Sequence, residues 1–171
     1  MVVCLNSFLS LGLWAEDNNG DYPCDCTNEK FNPDEVKDLL PLLNLYWLSL
    51  NGPSDTFWAH EYEKHGTCEE DLFSTQHDFF AGALNLLTKY NVTPALAQGG
   101  IEPSNSKGFS LSAFKKAFYN VYNADPIVGC NSEGNIETVL ICIDKNLEIM
   151  ECPSNQRDSC SANRLYLLAS M

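Results

Sequence analysis

The sequence predicts an α+β fold, and three observations carry that expectation. Apolar residues recur at helical spacing between about residues 32 and 122. β-like runs gather after residue 126. Helices first and strands late, with no regular alternation, argue against a βαβ repeat. The chain has 171 residues, 44% of them hydrophobic, which is enough for one globular core. No repeat or Pro/Gly/Ser-rich linker divides it, so residues 1–171 read as a single domain.

The elements follow in chain order. Residues 16–32 are dense in Asp, Asn, Gly, Pro and Cys and read as loop. Asn32-Pro33-Asp34-Glu35 reads as a helix start, with an N-cap, a first-turn proline and acids at the positive end of the dipole. Val36, Leu39, Leu40 and Leu43 continue it, and Pro41 should kink or divide it. A short helix is expected from Phe57 to His65, closed by Gly66. Thr75 caps a longer one with Phe79, Phe80, Ala83, Leu84 and Leu87 on one face. Thr93-Pro94 opens a brief helical turn, and Ser110 a helix whose apolar face is Leu111, Phe114, Phe118 and Val121. Thr138–Ile143 and Leu147–Cys152 are β-like runs joined by the turn Asp144-Lys145-Asn146, and residues 126–130 offer a third strand.

Charge and cysteine usage exclude several classes. The net charge of −13 leaves no basic footprint for passive nucleic-acid binding. An acidic protein acts on RNA only through a locally cationic site. No apolar run is long enough to span a membrane. Eight cysteines without a repeated Cys-x-x-Cys pair, beside only three histidines, fit disulfides in an oxidising compartment better than a zinc module. Asn91-Val92-Thr93 is a glycosylation sequon, weakened by Pro94. Met1–Trp14 lacks the basic start and small-residue cleavage site of a signal peptide, so the natural N-terminus is expected to lie outside this sequence.

The chemistry concentrates in Phe57-Trp-Ala-His-Glu-Tyr-Glu-Lys-His-Gly-Thr-Cys68, which holds two of the three histidines. A His-Glu-x-x-His metal motif needs a second histidine at position 64, where Lys64 stands, so zinc fails on spacing. On a helix, His60 and Lys64 share one strip and Glu61 and His65 another. Two imidazoles, an ammonium and a carboxylate then gather within two turns. Imidazole exchanges protons near neutrality. Lys and protonated His hold a phosphate and stabilise its developing charge. The set suits removal of a hydroxyl proton beside a phosphodiester. The plainer reading of the same residues is a solvated polar helix face. His77 reads as a surface residue, and Trp58 and Tyr62 as core packing.

The segment resembles the second active-site motif of the ribonuclease T2 family, Phe-Trp-x-His-Glu-Trp-x-Lys-His-Gly-Thr-Cys, with Tyr62 as its one departure. The resemblance runs from about Phe8 to Cys160. Tyr46-Trp47-Leu48-Ser49-Leu50, Gln76-His77, Ile141-Cys142-Ile143-Asp144 and Glu151-Cys152-Pro153 are similar to stretches of the plant extracellular and S-like members. It implies an α+β fold of the ribonuclease T2 type, with several helices packed on an antiparallel sheet. It also implies a monomer that cleaves single-stranded RNA without metal or cofactor, through a 2′,3′-cyclic phosphate. By the same resemblance His65 is the base, His60 binds phosphate, and Glu61 and Lys64 support the pentacovalent transition state. Trp14 and Tyr22 flank one base, and Phe57 lies near the second. The plainer reading of Trp14 and Phe57 is core packing.

The first motif, Phe-x-x-His-Gly-Leu-Trp-Pro, is matched by Phe8-Leu9-Ser10-Leu11-Gly12-Leu13-Trp14-Ala15. Leu11 stands where the acid histidine belongs, and leucine donates no proton. Strongly reduced activity is therefore expected, and a non-catalytic storage or defence protein is the alternative. The resemblance implies the pairs Cys26–Cys68, Cys130–Cys160 and Cys142–Cys152, leaving Cys4 and Cys24 over. It also implies an extracellular, vacuolar or secretory location. Only seven residues precede Phe8, so the family's first strand is expected to be missing and a sheet edge to lie open.

Overall fold

The computed structural model describes the backbone of residues 2–6, 9–16, 21–49 and 51–169, and side chains from Gly12 onward within those ranges. Phe8 and Leu50 of the matched motifs lie outside the described residues. The fold is α+β. Strands β1 (Val2–Asn6) and β2 (Leu9–Trp14) come first. A 3-10 helix, Pro33–Leu39, leads into α1 (Leu40–Tyr46). Then come α2 (Ser54–Lys64), α3 (Gln76–Lys89), α4 (Val92–Gln98) and α5 (Leu111–Tyr122). Strands β3 (Ile127–Cys130), β4 (Ile136–Ile143) and the two-residue β5 (Ile149–Met150) close the order.

Most helix starts follow from local chemistry. Asn32, Thr75 and Ser110 each accept a backbone N–H at the head of their helix, as their side chains predict. The first helical stretch is divided: Val36 leaves helical geometry, and Pro41 sits in the first turn of α1, where its missing N–H costs nothing. Helix α2 begins at Ser54, three residues before the expected start. Helix α4 begins at Val92, with Asn91 as its cap.

The sheet is antiparallel throughout, in the order β2-β1-β4-β3, with β5 also on β4. No strand is expected ahead of Phe8, and the structure has one. Val2–Asn6 is a strand placed between β2 and β4, and β2 stands at the edge of the sheet. Strands are also not confined to the end of the chain. Long-range pairing to β4, invisible to local pattern, recruits the apolar start into the sheet.

One hydrophobic cluster runs between helices and sheet. The predicted face of α3 is buried throughout. Phe79 and Phe80 stack edgewise at 5.2 Å. Trp47 lies 5.2 Å from Phe80, and Tyr62 lies 5.8 Å from Phe79. On α5 Phe114 and Phe118 are buried, but Val121 is exposed. Tyr122 takes its place, 4.8 Å from Phe118 and 5.6 Å from Tyr90. A larger ring one position on reaches the α3 terminus, which the smaller Val121 does not. Phe80→Ala is expected to destabilise the protein by about 3–5 kcal/mol, read as a lower urea midpoint at unchanged slope.

Three disulfides join Cys26–Cys68, Cys130–Cys160 and Cys142–Cys152. Cys24 is free and exposed.

Candidate active site

Helix α2 carries the site because its other face is anchored. Trp58 and Tyr62 are buried, and the Trp58 indole N–H donates to the Trp47 carbonyl at 2.6 Å. His60 and Lys64, each two residues on from one of these, therefore fall toward the opposite side. The loop of residues 21–31 runs beside this helix. Cys26–Cys68 ties it to the helix end, and the Asp25 N–H donates to the Lys64 carbonyl at 2.8 Å. Lys30 pairs with Glu63 at 2.6 Å. His65 ends α2 as its C-cap, its N–H still bonded to the Glu61 carbonyl.

Strand β2 meets α2 at the carboxyl of Glu61. The Trp14 indole N–H donates to Glu61 Oε2 at 2.9 Å, and the Trp14 ring lies 5.4 Å from that of His65. Gly12 makes the approach possible, since a Cβ there would collide with the Glu61 carboxylate and the Trp14 indole. The motif match includes Gly12 but gives it no role. The signal was a glycine inside a strand pattern, which often marks close approach of another group.

His60, Glu61 and His65 converge. One nitrogen or oxygen from each lies within 4.8 Å of the others, and the imidazole rings are 6.2 Å apart. Lys64 is close enough to act electrostatically on both Glu61 and His65. The three ligand-type atoms stand within the reach of a metal ion, but the Lys64 ammonium beside them opposes one. The set is better suited to holding an anion and moving protons.

Of the other predicted residues, Trp14 belongs to this group and Tyr22 to a second. The Gln156 side-chain amide donates to Glu16 Oε1 at 2.8 Å and also to the Tyr22 hydroxyl. Tyr22 is 44% exposed, as a stacking platform requires. Glu16 and Gln156 were not foreseen; no local spacing links residues 140 apart in sequence. A cavity of about 530 Å³ beside them is lined by Ala15, Glu16, Pro23, Cys68, Glu69 and Leu72, among others. Phe57 is half-buried and packs against the core. His77 is bound to Asp38 at 3.0 Å on the surface, as expected.

The electrostatics separate the titrating groups. Burial pushes the Glu61 carboxyl up to about 7, against the opposing pull of Trp14 and Lys64. Burial, with the Lys64 and His60 charges, pushes His65 down to about 4. Its Nδ1 is buried without a partner, which further disfavours the doubly protonated ring. Burial also pushes Glu69 up to about 7, and its Oε1 is buried and unpartnered.

These shifts make stability depend on pH. Glu61 and Glu69 hold their protons more tightly in the fold than in the unfolded chain. Their contribution is complete below about 4.5 and lost as the pH rises through about 7. His65 acts in reverse: its contribution is complete above about 6.5 and lost as the pH falls through about 4. Between pH 5 and pH 8 the two carboxyls lose about 2–3 kcal/mol each, and His65 regains about 2. The protein is therefore expected to be about 3 kcal/mol less stable at pH 8 than at pH 5. Urea unfolding at both values measures this, and Glu69→Gln should remove about 2 kcal/mol of the difference. Equal stability at the two pH values would contradict the assignment.

Comparison with known proteins settles the family. The Ribonuclease T2 family pattern matches residues 4–152. The chain belongs to the ribonuclease T2 family. It is 40% identical over 159 residues to ribonuclease DdI of Dictyostelium discoideum, covering 92% of this chain and 71% of that protein. Among solved structures, an RNase-related protein from Calystegia sepium superposes with a TM-score of 0.89 at 28% identity, covering 97% of this chain and 94% of that one. RNase NT, solved in complex with 5′-AMP, gives a TM-score of 0.82 at 27% identity, over 92% of this chain and 81% of that one. Ribonuclease T2 members thus share the fold that brings β2 against α2 here.

Proposed function

We propose that this protein binds single-stranded RNA and cleaves it without a metal, through a 2′,3′-cyclic phosphate, at a rate much reduced by Leu11. The observation that carries the reading is the convergence of His60, Glu61 and His65, with Lys64 acting on the same groups. His65 accepts the 2′-hydroxyl proton, and the 2′-oxygen attacks the adjacent phosphorus. His60 and Lys64 hold the non-bridging oxygens, and Glu61 supports the transition state. One base stacks between Trp14 and Tyr22, each contact worth about 1–3 kcal/mol. A second lies near Phe57.

The depressed basicity of His65 keeps it free of a proton above about pH 4. That makes it available as a base, although a weaker one than an ordinary imidazole. The −13 charge confines RNA to the His60–Lys64–His65 group. Among the described residues no helix is long and apolar enough to cross a membrane. We infer a monomer in an extracellular or vacuolar compartment, a reading supported by the three disulfides.

The test is cleavage of single-stranded RNA by the oxidised protein at pH 5 and pH 7, with and without EDTA. Slow, EDTA-resistant release of 2′,3′-cyclic ends is expected. Leu11 favours one other reading, a storage or defence protein without turnover. Binding of 5′-AMP with no cleavage would support a non-catalytic role and reject the enzymatic one.

A further inference from the structure

We propose that Glu61 serves as the general acid of this chain, its carboxyl handing a proton to the leaving 5′-oxygen from beside the strand position held by Leu11. The inference rests on the ribonuclease reading above and changes the part Glu61 plays in it.

Three placements support it. Glu61 is 4% exposed, yet its carboxyl lies within 4.8 Å of a nitrogen of both His60 and His65, so one phosphate is within reach of all three. The Trp14 indole fixes Oε2 and therefore the carboxyl plane. The bare backbone of Gly12 lets the carboxyl lie against β2 at the residue next to Leu11. The strand is irregular at that point. Cys4 pairs with Gly12 and Leu5 with Ser10, leaving Leu11 as the extra residue of a bulge. The carboxyl has thus been brought to the strand segment that carries no acid of its own.

The chemistry favours the neutral form. An ionised carboxylate beside a phosphorane adds like charge, whereas a buried carboxylic acid donates a hydrogen bond and then a proton. The charged and titratable groups facing Glu61 are His60, Lys64 and His65 from α2; from β2 it meets the Trp14 indole and the Gly12 backbone. Burial keeps the Glu61 proton on up to about 7, while His65 gives its own up above about 4. Between those values the acid is loaded and the base is free, the order that cleavage needs. As the 2′-oxygen bonds to phosphorus, its proton passes to His65. The P–O5′ bond breaks, and the Glu61 proton goes to O5′. A 2′,3′-cyclic phosphate and a 5′-hydroxyl leave, and solvent carries the proton from His65 back to Glu61.

The experiment compares two substrates that differ only in the leaving group. The dinucleotide UpU expels an alkoxide that needs a proton, and uridine 3′-(4-nitrophenyl phosphate) expels a phenolate that does not. Glu61→Gln keeps the shape and an acceptor for the Trp14 N–H. It is expected to lower kcat/KM for UpU by about 10²–10⁴-fold, with a loss at least tenfold smaller for the aryl ester. The parent's UpU profile should fall above about pH 7, and that limb should vanish in the variant. Equal losses on both substrates, or no loss, would overturn the proposal. A leaving-group-selective loss in His60→Ala would assign the acid to His60 and overturn it too. A parent that cleaves the aryl ester but not UpU would retain a base and lack an acid, again against it. A parent that cleaves neither removes the ribonuclease reading itself.

Discussion

His65→Ala is expected to lower RNA cleavage by about 10²–10⁴-fold while leaving the fold intact. Only an imidazole at this place is both free of its proton in mild acid and in contact with the Trp14–Glu61 pair. Its neighbours do not replace it. Glu61 holds its own proton up to about 7 and offers no base below that. The stability cost should be small, because the ring's Nδ1 is buried without a partner and its removal leaves no new unsatisfied group. Initial rates on single-stranded RNA at pH 5, with Tm as the folding control, measure it. A folded variant that cleaves at the parent's rate would remove His65 from the reaction.

Leu11→His is expected to raise the same rate, by at least about 10²-fold in a Glu61→Gln background where no other acid remains, the worth of a well-placed general acid. Leu11 lies in β2 one residue before Gly12, which abuts the Glu61 carboxyl, and by the motif match the acid imidazole belongs at position 11. Added there, it supplies a proton without disturbing the base. The gain should be largest near pH 5–6, where an unperturbed imidazole is mostly protonated. If Glu61 is the resident acid, Glu61→Gln should cost much less in the Leu11→His background, because two groups then do one task. An unchanged rate in a folded Leu11→His protein would mean that position 11 does not reach the leaving oxygen.

How legible the protein was varied by element. Asn32, Thr75 and Ser110 named three helix starts correctly, because an N-cap acts within three residues of itself. The buried face of α3 followed from its period for the same reason. The three disulfides followed from resemblance rather than spacing. Strands β1 and β2 went unread as strands; β2 pairs only with β1, and β1 is held in the sheet by β4, more than a hundred residues on. Val121 was assigned to the core and Tyr122 was not. That choice depended on the reach of a ring toward Tyr90, across two helices.

The candidate site divides in the same way. Which residues form the candidate site was written in one stretch of twelve, because His60, Glu61, Lys64 and His65 sit within two turns of a single helix. Leucine at position 11 was equally plain and needed no coordinates. What those groups can do was decided only by the fold. Folding lays β2 against α2 at Gly12, closes the Trp14–Glu61 bond and removes water from the carboxyl and from His65. Desolvation then drives the two proton affinities apart, one up and the other down. Such shifts arise from what surrounds a group in space, and no neighbour in the chain encodes them.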